Sequence, residues 1–181
     1  MSAVLLSVHV VLAVLTVGPV TVAASMFRPA WQAVAADASA STRQPVRDTS
    51  GPQPPGAGAS AHPAGGLATV ALLHRITRTY AAIGLAVPVF GLATAASLGV
   101  LTDPWVLAAL VLVGAAAVVL VGRVLPDQRH LLDAVRSGDH GQVLGAAAAS
   151  ARLAMTTGVF NLLWVAVVVL MIWRPGSTTG V

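Results

Sequence analysis

Apolar residues gather in four runs, residues 3–27, 81–101, 104–125 and 154–173, and the charged residues collect between them. Each run is about the ~20 residues that a helix needs to cross hydrocarbon. None alternates with the period of two that marks a strand. The pattern predicts an all-α fold: a polytopic membrane protein, a four-transmembrane-helix bundle forming a single membrane domain over residues 1–181.

Smaller signals punctuate the runs. Pro19 sits inside the first and predicts a kink, and Phe27-Arg28-Pro29 marks its end. Trp31 then suits an anchor at headgroup level. Residues 39–66 are rich in Pro, Gly, Ala and Ser without apolar period, and read as a disordered cytoplasmic loop. Pro52-Gln53-Pro54-Pro55 within it matches a PxxP pattern, which extended linkers also produce.

From Leu67 the pattern turns helical, in one long helix that enters the membrane near Tyr80. His74, Arg75 and Arg78 line one side of it by their spacing of three and four. Pro88 should bend this helix. Gly91, Ala95 and Gly99 recur every four residues, a stripe of small side chains that lets another helix approach closely. Asp103 and Pro104 suit the N-cap and first position of the third span. Residues 127–136 form a short amphipathic helix with Leu131, Leu132 and Val135 on its apolar side and an Arg129–Asp133 surface pair. A last helix runs from about Gln142 to Trp173.

Composition sharpens this picture. Hydrophobic residues are 56% of the chain and charged residues 9%, against roughly 25% charged in a soluble domain. The lipid bilayer is therefore the expected partner of most of the surface. A membrane-protein partner or a homo-oligomer would use the Gly91/Ala95/Gly99 stripe. The net charge of +4 is not a nucleic-acid footprint, because the basic residues are all arginines at helix ends rather than in a phosphate-binding stripe. Cysteine is absent, which excludes disulfides, thiolate metal sites and thiol catalysis.

The arginines also set an orientation. Arg28, Arg43, Arg47, Arg75 and Arg78 fall between spans one and two, and Arg123, Arg129, Arg136 and Arg152 between or beside spans three and four. Only Arg174 lies beyond span four. The richer side is assigned to the cytoplasm, so both termini face outward in a multi-pass protein of a bacterial plasma membrane. Val22-Ala23-Ala24 would suit a signal-peptide cleavage site, but the residues before the apolar run carry no basic side chain. That run is also longer than the usual ~7–15 residues, so the first helix is read as uncleaved.

Few residues offer chemistry. His9 lies within span one, and an ionisable group at membrane depth is a candidate for function. Its neutral imidazole could ligate haem iron or copper, or could simply hydrogen-bond across the bundle. Asn161, with Thr157 one turn earlier, needs a partner in hydrocarbon, and Thr94 or Thr16 stands at similar depth. Interhelical bonding worth about 0.6–2 kcal/mol is the reading preferred for it over substrate binding. His74, His130 and His140 share the inner side without a standard ligand spacing. Arg152 near the inner boundary can snorkel, pair with an aspartate or bind an anionic headgroup. No catalytic residue and no metal ligand set is assigned, and enzymatic activity is not expected.

Two segments carry a resemblance. Span one reads His9-Val-Val-Leu-Ala-Val-Leu-Thr-Val-Gly18, and the last helix ends Leu170-Met-Ile-Trp-Arg-Pro175. A membrane histidine followed by a glycine, with a closing Met-x-x-basic-Pro, resembles a family of small predicted integral membrane proteins of unknown function. That family is similar to the copper-resistance D membrane domain and to HemJ-type protoporphyrinogen oxidases. The resemblance implies haem or porphyrin handling at His9, or copper uptake, as alternatives to an integral membrane protein acting through helix packing and partner binding.

Overall fold

The computed structural model describes residues 2–43 and 63–175. Within them the chain forms α1 (Ser2–Arg43), α2 (Pro63–Gly84), α3 (Ala86–Leu98), α4 (Pro104–Val119), a π-helical turn (Leu120–Val124), α5 (Leu125–Arg136), α6 (His140–Gly145) and α7 (Ala147–Trp173). Four helical stretches are long and apolar enough to cross a membrane: Ala3–Ala40, Gly65–Leu98, Pro104–Arg136 and Ala147–Trp173. The helices extend beyond the apolar runs of the sequence, since α1 reaches Arg43 and α2 begins at Pro63. Both ends of the predicted loop 39–66 are therefore helical, and its PxxP segment lies outside the described residues.

Proline shapes two of the stretches. Pro88 lacks an N–H and crowds the carbonyl four residues back, that of Gly84. The helix breaks there: α2 ends at Gly84, and α3 starts at Ala86 after a turn in which Leu85 N donates to Ala82 O at 3.3 Å. Pro126 acts on Gly122 in the same way, within the π-helical turn. There the Leu125 N–H reaches back five residues to the Leu120 carbonyl. The first span behaves differently, because α1 runs unbroken through both Pro19 and Pro29.

One face of α1 builds the core. Val20, Ala23, Ala24, Phe27 and Trp31 follow helical spacing and are all buried. They meet Val70 and Leu73 of α2, Leu131 and Leu132 of α5, Leu153 and Phe160 of α7, and Leu120 and Val124 of the π-helical turn. The best-packed region thus sits towards the arginine-rich end of the bundle, where α5 and α6 close over it. Trp31 is 3% exposed in this core, its indole packed against protein. The reason is the unbroken helix, which keeps Trp31 in register with Phe27 past Pro29.

The small-residue stripe of α3 divides into two roles. Gly91 and Ala95 are packing positions: the His9 ring lies over Gly91, and Ala95 is buried. Gly99 is not within the helix. It is the residue past its end, at φ 71°, and a Cβ there would have open space around it. Gly99 N donates to Ala96 O at 3.1 Å and Val100 N to Ala95 O at 3.0 Å, the double bond pattern of a Schellman cap. Its left-handed backbone explains the glycine, since an L side chain there costs about 1–2 kcal/mol. Gly99→Ala is expected to destabilise by about that amount, read as a lowered unfolding temperature in detergent, whereas Gly114→Ala, in open space at negative φ, should not.

Candidate functional site

Two polar arrangements occupy opposite ends of the bundle. At one end, His9 of α1 is 8% exposed and its Nδ1 donates to the Val87 carbonyl of α3 at 2.9 Å. His9 shares the inward face of α1 with Thr16 and Val20, seven and eleven residues on. The ring lies so close to α3 that a Cβ on residue 91 would stand 2.9 Å from its Cε1 and 3.2 Å from its Nδ1. Glycine at 91 is what admits the imidazole. The bond at Nδ1 leaves Nε2 as the remaining lone pair, an orientation shared with many metal-binding histidines. On its α3 side, however, the ring is in contact with Gly91, and a porphyrin would need the helices to part there.

Asn161 does not find the partner expected for it. Its Oδ1 and the Thr157 Oγ1, one turn apart on α7, are buried without a hydrogen-bond partner among the described residues. The proposed partners turn back on their own helices: Thr16 Oγ1 donates to Leu12 O at 2.7 Å and Thr94 Oγ1 to Phe90 O at 2.7 Å. A threonine in a helix can satisfy its hydroxyl locally, which removes the need to reach across. Further towards this end of the bundle, Trp105 Nε1 donates to Asp103 Oδ2 at 3.1 Å, and the Arg174 guanidinium stands 5.6 Å from the Trp105 ring centre. Asp103 is therefore an N-cap by position whose carboxylate serves the indole rather than the helix.

At the other end, α2 and α5 lie side by side and are joined by a buried amide. Gln128, fully buried, accepts at Oε1 from His74 Nδ1 at 3.2 Å. Its Nε2 donates to Thr77 Oγ1 at 3.4 Å, and Thr77 in turn donates to Leu73 O at 3.0 Å. His74 is thus half-buried and held by α5, not a loop histidine facing water. Gln128 was not singled out from the sequence, yet its signal was there: positions 128, 131, 132 and 135 make one face of α5, and 128 is the polar member of that apolar set.

Above this network opens a groove of about 1000 Å³ between the two helices. His74, Arg75 and Arg78 line it from α2, and Arg129, Asp133 and Arg136 from α5. The single carboxylate is engaged by Arg136, whose Nη1 is 3.6 Å from Asp133 Oδ1. The surface pair expected between Arg129 and Asp133 is replaced by this one, three residues apart instead of four. Arg75, Arg78 and Arg129 have no ion pair among the described residues. The structure brings together His74, Arg75 and Arg78, as their spacing implied, and adds two arginines from a distant part of the chain. It does not bring Arg152 to them. Arg152 lines a separate recess of about 440 Å³ together with His130 and Asp133.

Geometry and composition define a class: among the described residues the protein is all-helical, with four helices of membrane-spanning length. No family model, no curated protein and no solved structure matches the chain.

Proposed function

We propose that this chain is a multi-pass plasma-membrane protein that works through helix packing and partner binding rather than bond-making chemistry. Its arginine-rich end faces the cytoplasm and both termini face outward. The supporting observation is how little of each span the chain covers for itself. Only 17–22% of the most apolar window in each of the four helices is buried within the protein. The remainder is a surface for lipid or for other membrane helices. His9 supports the same reading, since its ring is used to hold α1 against α3.

The absence of cysteine gives a clean test of topology. Thr102→Cys, exposed at the turn between α3 and α4, is expected to react with a membrane-impermeant maleimide on intact cells. Ser137→Cys, exposed after α5, should react only after permeabilisation. The reverse pattern overturns the orientation, and labelling of both on intact cells overturns the membrane reading.

A haem- or porphyrin-handling protein is the second reading, favoured by the free Nε2 that the Val87 bond leaves on His9. Protein purified from cells supplied with a haem precursor is expected to be colourless. A Soret band lost in His9→Ala would install the second reading in place of the first.

A further inference from the structure

We propose that the groove between α2 and α5 binds the phosphate headgroup of an acidic glycerophospholipid. The inference rests on the membrane reading above, and is carried by two features that sequence spacing alone did not unite.

The first is charge. Arg75, Arg78 and Arg129 converge on one groove from two helices with no carboxylate partner among the described residues, and Asp133 is paired with Arg136. Guanidiniums that face one groove repel one another, and an anion entering it relieves that repulsion. Their planar forks suit phosphate oxygens, to which they donate in pairs. Beneath them the buried Gln128 links α5 to His74 and Thr77 of α2, which restrains the two arginine-bearing helices from moving apart. A groove held in this way loses little conformational freedom when a ligand enters it.

The second feature is the wall. The same groove is lined by Leu72, Ala82 and Ile83, and both Leu72 and Ile83 are exposed. These residues belong to the apolar stretch Gly65–Leu98, and Ile83 lies just beyond Tyr80, where the sequence places the entry into the membrane. A soluble phosphate would use the arginines and leave this wall wet. A phospholipid uses both, with its phosphate among the guanidiniums and its acyl chains along Ala82 and Ile83, on the membrane side of the arginines. The wall is the reason to commit to the lipid as the source of the phosphate.

The test is lipid binding by the full chain in detergent, measured by native mass spectrometry against phosphatidate, phosphatidylcholine and glycerol 3-phosphate. Phosphatidate is expected to bind at least about tenfold more tightly than the other two. Arg78→Gln combined with Arg129→Gln should weaken phosphatidate about thirtyfold, two charges near the headgroup being removed. Arg123→Gln, exposed and outside the groove, should leave binding within about twofold. The substituted side chains are exposed, so unchanged unfolding temperature is expected and separates lost binding from lost fold. Equal binding of phosphatidylcholine, or an equal loss in Arg123→Gln, overturns the site. Glycerol 3-phosphate binding as tightly as phosphatidate overturns the lipid as source. The cysteine labelling of Thr102 and Ser137 reads the membrane arrangement independently, so failure of one reading is not mistaken for failure of the other.

Discussion

Gly91→Leu is expected to be the most damaging single substitution at the His9 end of the bundle. Even the first added atom, a Cβ, would stand 2.9 Å from His9 Cε1, and the rest of the side chain has to enter the same α1–α3 contact. The imidazole cannot simply swing away, since its Nδ1 would leave the Val87 carbonyl. Overpacking of this kind costs about 1–3 kcal/mol, and a branched side chain belongs at the upper end. A lost buried hydrogen bond adds about 1 kcal/mol. The measurement is thermal unfolding in detergent, with a drop of several degrees expected. Gly91→Leu combined with His9→Ala supplies the check. Removing the ring opens the space that leucine needs, so the pair should recover part of the loss, and effects that merely add would show that the two residues do not meet.

Gln128→Leu is expected to be comparably costly, for a different reason. Leucine fills a similar volume on a face already occupied by Leu131 and Leu132, so packing is largely kept. What is lost is the acceptor for His74 Nδ1 and the donor to Thr77, at a position with no exposure. A buried polar group left without its partner costs about 1–3 kcal/mol. His74 is half-buried and can turn towards water, whereas Thr77 keeps its bond to Leu73 O, so the expected loss lies in the middle of that range. Gln128→Glu separates the contributions: it retains an acceptor for His74 but places a carboxylate in the core. A stability equal to wild type for Gln128→Leu would mean that α2 and α5 are joined by apolar contact alone.

Much of the scaffold was legible before any coordinates. Three of the apolar runs each lie within one of the four long helical stretches, the second, 81–101, overruns its helix end at Leu98, and Pro88 falls where the second stretch breaks. His74, Arg75 and Arg78 were placed on one side of α2 by spacing, and they line one groove. Less legible was what lies across from them. Arg129 and Arg136 are more than fifty positions along the chain, and no periodicity links α5 to α2. Gln128 announced itself only as a polar residue on an apolar face, a signal too common to name its partner. Gly99 was read by period as a packing residue, but the chain ends its helix there, and period cannot tell the last turn from the residue beyond it. Asn161 was given a partner on another helix because its depth matched Thr94 and Thr16, yet depth says nothing of where a hydroxyl turns.

By itself, then, the sequence determined how many membrane-length helices form and that most of the arginines gather beside the same ends of the apolar runs. Both follow from hydropathy and charge summed over a single segment, and neither needs knowledge of a neighbour. Only the tertiary structure decided which face of each helix turns inward. In α4 and α7 apolar residues lie on every side, so hydropathy alone prefers no face of such a helix. Rotation is settled instead by close contacts that fit in one way: an imidazole over Gly91, an amide between His74 and Thr77, a phenyl ring at position 27 enclosed on all sides.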